Sequence, residues 1–475
     1  MSISSDGVHK YRWVILFNVV LTIFMANLDS SIVNVALPVM AQELQVSTAS
    51  IGWVVSSYLI IISSTILIFG RLADIHGKTI VFKFGIALFI IGSFICGISN
   101  SLTNLIISRF IQGLGAAASM STTQAITTSV FPLNERGRAL GVCGAFAALG
   151  AMIGPPLGGF IVSIFSWKFI FLINIPVGLV ALILSLCIFP NPTTVKKEKL
   201  DLKGSALLVL SITLLFGSLT QGQEFGFNNI FIILGIIISI ICMFIFIIIE
   251  KNISSPLVDL SIFKNKLFSL SIFCGLISFV CISASNIIQP FYFQNTLKFT
   301  PSFTGVCMIV APIILVVISP LSGYLSDKFG SELLTILGLT ILGIGLLLMS
   351  TLTQYSSLIL VLTFILIMSL GNGIFQSPNN SLIMSSVPKN KLGIAGSING
   401  LVRNLGLVLG VCLSTTLLYN KMSYKIGYRI TTYINDRDDI FIYGMKYVYI
   451  IISILCFVGS ILTAFRLYFQ KNTND

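Results

Sequence analysis

Apolar residues in this chain run in long stretches that keep no polar face. A helix needs about 20 such residues to cross a bilayer. Fourteen stretches are long enough: about 13–38, 49–69, 80–99, 102–123, 138–162, 168–189, 204–221, 229–249, 267–290, 303–321, 332–350, 356–380, 392–418 and 444–467. The pattern predicts an all-α membrane protein. One position breaks it early. Within Trp13 to Pro38 the only ionised side chain is Asp29, past the middle of the first stretch. Placing a carboxylate there costs roughly 3 kcal/mol on insertion scales, so intramembrane acids are read first as functional.

Composition agrees with a membrane class. The 475 residues are 55% hydrophobic and 9% charged, too few charges to dress a water-facing surface. The net charge of +12 does not point to nucleic acid, because the bases are scattered between the apolar stretches. They alternate in sidedness as topology signals do. Arg71 and Lys78, Arg136 and Arg138, Lys196, Lys197, Lys199 and Lys203, and Lys389 and Lys391 fall on one side. That side is assigned to the cytoplasm, with both termini on it and the protein in the cell membrane. Nine cysteines show neither a disulfide framework nor metal spacing, and two histidines are too few for a histidine metal site. No cofactor, metal or catalytic residue is expected.

The chain carries an internal repeat. Gly70-Arg71-Leu72-Ala73-Asp74-Ile75-His76-Gly77-Lys78 and Gly323-Tyr324-Leu325-Ser326-Asp327-Lys328-Phe329-Gly330 share the pattern G-x-L-[AS]-D-x-x-G. Both are read as loops, after the second and tenth stretches, in which glycine permits a tight turn. Such copies imply repeated bundles. They lie about 250 residues apart, whereas six spans need roughly 190. The surplus is one inserted hairpin. The expected organisation is a six-helix bundle over 1–200, a two-helix hairpin with its linker over 201–262, and a second six-helix bundle over 263–475.

Further motifs follow in order: Leu28-Asp29-Ser30-Ser31-Ile32-Val33-Asn34-Val35-Ala36-Leu37-Pro38, then Arg109-Phe110-Ile111-Gln112-Gly113-Leu114-Gly115, Gly150-Ala151-Met152-Ile153-Gly154-Pro155-Pro156-Leu157-Gly158-Gly159, and Trp167 to Gly178 with Asn174-Ile175-Pro176 inside it. On these residues the chain resembles the major facilitator superfamily, and within it the fourteen-span drug:proton antiporter group (QacA/EmrB-like). The resemblance implies two six-helix bundles plus a hairpin, and export of amphipathic or cationic compounds by alternating access. It implies energy from the proton gradient, not a bound cofactor. The expected partners are a small-molecule substrate, protons and the lipid bilayer, and the expected state is a monomer. Alternatives are an exporter of narrow specificity for tetracycline, a peptide or a metabolite, or a non-transporting receptor or scaffold.

Depth supports one pairing. Asp29 lies about 13 Å in from the outer end of its stretch and Arg109 about 10 Å in from the outer end of the fourth, at 1.5 Å per residue. Opposite charges in one layer lower each other's burial cost. We expect Asp29 and Arg109 to couple protons, with Arg109 setting how readily the acid takes its proton. No second acid falls deep in a stretch, so a single essential carboxylate is expected. Asn34, Tyr58, Gln112, Asn286, Gln289, Tyr292 and Asn379 are candidates for a substrate cavity. Gly70, Arg71, Asp74, Gly77, Lys78, Gly323, Asp327 and Gly330 are expected to form a cytoplasmic gate latch. Gly150, Gly154 and Gly158 fall along one helix face, where small residues admit a close neighbour. Pro155 and Pro156 should bend that helix, with Gly159 completing the motif. Gly77-Lys78-Thr79 is not a phosphate-binding loop, since six residues and not four separate Gly70 from Gly77.

Overall fold

In lipid every backbone polar group must be satisfied within its own segment, so each apolar stretch becomes a helix. The computed structural model describes residues 11–132, 135–189, 200–253, 256–258, 260–388, 392–434 and 437–474. Lys196, Lys197, Lys199, Lys389 and Lys391, and the side chains of Arg136, Arg138 and Asp327, lie outside the described residues. Among those described there is no strand, and fourteen helices have 15 residues or more. They are α1 Arg12–Glu43, α2 Trp53–His76, α3 Lys78–Ile98, α4 Leu102–Val130, α5 Arg136–Ile164, α6 Asn174–Ile188, α7 Leu202–Phe225, α8 Ile230–Asn252, α9 Lys266–Phe291, α10 Val310–Phe329, α11 Ser331–Met349, α12 Leu358–Ser385, α13 Leu392–Ile426 and α14 Asp438–Asn474. Short helices at Phe169–Leu172 and Pro301–Met308 lead into α6 and α10. Among the described residues thirteen helices are long and apolar enough to span a membrane. The exception is α4, whose 29 residues are ample in length but include Arg109 and Gln112.

The described residues divide into two compact units. One takes in Met1–Val46, Trp53–Leu219 and Asn228–Val258, the other Ser47–Gly52, Thr220–Phe227 and Asp259–Asp475. In the first, α1 packs along α5, α3 along α4, α2 on α4 and α3 on α6. In the second, α9 packs along α13, α11 along α12, α10 on α12 and α11 on α14. The second set is the first with every helix number raised by eight, so the repeat seen in the motifs extends to packing. The starts of equivalent helices match too. Ser101 caps α4 by accepting from the Asn104 N–H, and Ser357 caps α12 by accepting from that of Leu360. Such caps satisfy orphan donors of the first turn.

The two G-x-L-[AS]-D-x-x-G segments correct the loop reading. Gly70 through His76 belongs to α2, and Gly323 through Phe329 to α10. The turn is made by the last glycine alone. Gly77 has φ 105° and ψ 132°, and Gly330 φ 89° and ψ 141°. Side chains are strained at such positive φ. These two residues let α3 and α11 start at once. Gly70 instead lies 4.0 Å (by its added Cβ) from the Ser121 Cβ of α4, and Gly323 at 2.9 Å from the Ser377 Oγ of α12.

The helix α5 runs unbroken through Pro155 and Pro156. Its glycines form a seam with α1. A Cβ at Gly150 would lie 2.6 Å from the Phe24 carbonyl oxygen, one at Gly154 would strike Ser31 Oγ, and one at Gly158 would lie 2.8 Å from the Ile32 carbonyl oxygen. Gly159 is buried, and its carbonyl accepts from the Ser163 hydroxyl at 2.8 Å. The seam runs the stretch of α1 that carries Asp29. A core of Ile15, Val19, Phe82, Ile86, Ile126 and Phe131 fills the unit further along α1.

Candidate functional site

Asp29 is fully buried in the first unit, and both of its oxygens are occupied. Arg109 Nη1 donates to Oδ2 at 2.6 Å. Gln112 Nε2 donates to Oδ1 at 2.9 Å, and Asn174 Nδ2 to the same oxygen at 2.8 Å. The guanidinium is itself held on several sides. Its Nε donates to the Val54 carbonyl of α2 at 2.9 Å, and Nη1 also donates to Gln112 Oε1 at 2.5 Å. The Tyr58 ring lies 4.0 Å from the guanidinium carbon and the Phe171 ring 5.6 Å. Cation–π contacts of this kind are worth about 2 kcal/mol when dry. Gln112 also donates to Ser93 Oγ at 2.8 Å. A buried ion pair offsets its desolvation only where further hydrogen bonds satisfy the remaining lone pairs and protons, and α1, α2, α3, α4 and α6 each supply part of that shell.

Small residues let the shell close. A Cβ at Gly92 of α3 would lie 2.5 Å from the Gln112 backbone nitrogen of α4. With hydrogen there, α3 reaches α4 closely enough for Ser93 to meet Gln112. Asn174 stands at the first residue of α6, which aims its amide into the bundle.

The sequence pairing of Asp29 with Arg109 is therefore found as a direct ion pair. Gln112, expected in a cavity, belongs to the ion-pair shell. Tyr58 lies against it too, its hydroxyl buried without a hydrogen-bond partner. Asn34 is half-buried, with Oδ1 unpartnered. Counting 3.6 residues per turn, Asn27, Ser31 and Asn34 share the side of α1 opposite Asp29, and all three are half-buried.

The remaining cavity candidates belong to the second unit. Gln289 donates to Ser285 Oγ at 2.8 Å, and Asn379 to the Ser271 carbonyl at 3.1 Å. Tyr292 donates to the Thr353 carbonyl at 2.8 Å, a bond that ties a helix end to a loop. Asn286 is half-buried. Of the gate candidates, Arg71 and Lys78 are half-buried, while Asp74 is exposed and has no hydrogen bond or ion pair among the described residues. Sequence reasoning missed the roles of Asn174 and Ser93. The signal for Asn174 was a polar residue between the apolar run Phe169–Ile173 and Pro176. It also missed two buried acids, Asp201 and Glu250.

Fourteen long helices, a repeat offset by eight and one saturated ion pair narrow the families that fit. The profile of the Major Facilitator Superfamily matches residues 19–411. The chain belongs to that superfamily. It is a multi-pass membrane transporter of small molecules and not an enzyme. Among its superfamily relatives, it is 33% identical over 466 residues to the riboflavin transporter RibZ of Clostridioides difficile (strain 630), covering 98% of this chain and 99% of that one. It is 30% identical over 399 residues to the multidrug resistance protein Stp of Mycobacterium tuberculosis (strain CDC 1551 / Oshkosh), covering 84% and 74%. A crystal structure of a POT family transporter in complex with a thioalcohol-conjugated peptide superposes with a TM-score of 0.71. It shares 15% identity and covers 97% of this chain and 96% of that one. That likeness is one of fold.

Proposed function

We propose that this transporter is a proton-coupled antiporter of the fourteen-span drug:proton group, exporting amphipathic or cationic compounds by alternating access. The observation that carries the reading is the ion pair of Asp29 and Arg109, buried in a helix bundle and closed by amide donors from two further residues. Intramembrane charges of this kind mark proton relays and substrate paths. The fully occupied carboxylate favours an indirect exchange. A proton arriving at Oδ2 weakens the bond to Arg109, while Gln112 and Asn174 keep Oδ1 in place. Cargo meets α1 away from the ion pair, at Asn34 with its unpartnered Oδ1, so α1 links the two events. One proton moving inward down 100 mV supplies about 2.3 kcal/mol.

A narrower reading is export of one metabolite. It is favoured by the alignment with the riboflavin transporter, which spans nearly all of both chains. Both readings are tested in proteoliposomes holding a trapped pH dye, with ethidium as the cationic cargo and riboflavin as the neutral one. The expected result is cargo-driven proton movement in wild type and none in Asp29→Asn. Full coupling in Asp29→Asn removes the ion pair from the mechanism. Movement with riboflavin alone selects the narrower reading.

A further inference from the structure

Asp201 and Glu250 stand at the foot of the α7–α8 hairpin, well along the chain from the Asp29 shell. They are 9% and 3% exposed, so both are more than nine-tenths buried. Each has one oxygen engaged by the backbone. Asp201 Oδ1 accepts from the Gly204 N–H at 3.0 Å and so caps α7. Glu250 Oε1 accepts from the Val258 N–H at 2.7 Å, tying the end of α8 to the stretch beyond it. The second oxygens, Asp201 Oδ2 and Glu250 Oε2, are buried with no hydrogen-bond partner. Both face the space over Gly204. A Cβ there would strike Asp201 Oδ2 and lie 3.4 Å from Glu250 Oε2.

Among the described residues Asp201 is the charged group that acts on Glu250. Lys203 and Lys251, on the same two helices, are exposed. Higher along the hairpin, Ser211 and Ser239 each donate to the other's carbonyl, at 2.9 and 2.8 Å, which holds α7 and α8 together above the acids. Two carboxylates in one dry site, with no cation between them among the described residues, do not both ionise readily. Two buried acceptors that share the space over Gly204 without a donor need one. One proton supplies it, as an O–H on one acid donated to the free oxygen of the other.

We propose that Asp201 and Glu250 hold a single proton between them, a second protonation site of this chain, separate from Asp29. Loss of that proton sets two negative charges against each other over Gly204 and loosens the strap from Glu250 to Val258. The hairpin foot is therefore firm while the proton is held and weakened once rising pH removes it.

The test uses the full chain in liposomes, followed by infrared spectroscopy while the pH is raised. We expect the carbonyl stretch of a protonated carboxyl group to persist through neutral pH and vanish at alkaline pH. Carboxyl isotope labelling of glutamate alone should shift part of that band, which assigns it without any substitution and separates it from Asp29. The band should be lost in Asp201→Asn and in Glu250→Gln and kept in Asp29→Asn. Thermal unfolding of wild type should weaken at alkaline pH, and Glu250→Gln should remove that fall. A wild-type spectrum without a protonated glutamate band at neutral pH overturns the proposal. So does loss of the band on adding sodium or calcium chloride at fixed pH, which would make the pair a cation site. Loss of cargo-driven proton movement in Asp29→Asn with this band intact separates the two protonation sites.

Discussion

At the scale of single residues, the guanidinium of Arg109 carries the heaviest demands. It serves Asp29, Gln112 and the Val54 carbonyl while lying against the Tyr58 ring. A lysine keeps the charge but loses the planar fork, so Arg109→Lys should abolish coupled transport while cargo still binds. A transport assay beside a binding titration checks this. Removing one partner of a buried pair costs about 3–5 kcal/mol, whereas removing both is far less harmful. Asp29→Asn together with Arg109→Gln should therefore unfold at a higher temperature in detergent than Arg109→Ala alone. An equal or lower temperature would mean that the pair is not desolvated as described. Gln112→Leu strips one donor from Asp29 and should cost about 1–3 kcal/mol.

The charged pair was legible in the sequence because cost makes it conspicuous. An acid in Trp13–Pro38 and an arginine at matching depth in the fourth stretch have few reasons to be there. The neutral half of the shell was harder to see. Asn174, Ser93 and Gln112 carry no charge, and amides and hydroxyls recur along many membrane helices without a role. Asp201 and Glu250 escaped for another reason. They sit just outside the apolar stretches, where acids ordinarily meet water, and only packing shows that they do not.

At the scale of helices, close approach decides the architecture. The α1–α5 seam leaves no room at Gly154 beside Ser31. Gly154→Leu should push α1 off α5 and abolish transport even though it touches neither charge, with surface expression as the control. The repeated turn separates two kinds of glycine. Alanine at Gly77, where φ is 105°, should cost more than about 1 kcal/mol. Gly70→Ala meets only an ordinary contact at 4.0 Å and should be tolerated. Comparing the two unfolding temperatures tests whether the motif is a loop or, as found here, the end of a helix with one turning residue. The sequence pattern located these glycines but did not tell them apart. A glycine needed for backbone conformation and one needed for packing look alike until the neighbouring helix is placed.

At the scale of the whole molecule, the parity of the spans remains a physical question with a clean answer. Thirteen helices meet the apolar requirement, and α4 falls short because it carries the site. With α4 crossing, both ends of the chain lie on one side of the membrane. We expect green fluorescent protein fused to the C-terminus to fluoresce in the cytoplasm and alkaline phosphatase fused there to stay inactive. The opposite result would mean that α4 does not insert. The fold class was legible early because lipid allows few solutions. Helix α8, almost wholly aliphatic and aromatic and with few buried residues, shows the rule at its plainest.

All four buried charged side chains among the described residues, Asp29, Arg109, Asp201 and Glu250, lie in the first unit. Among the described residues the buried polar groups of the second unit are neutral, with Gln289, Asn372, Asn379 and Asn404 as its amides. The charges that we propose couple protons thus lie in one unit. On the proposed mechanism, exchange of the C-terminal half leaves Asp29 and Arg109 in place. Hybrids that graft a relative's C-terminal half onto this N-terminal half should still couple protons, and Asp29→Asn in the hybrid should abolish that coupling.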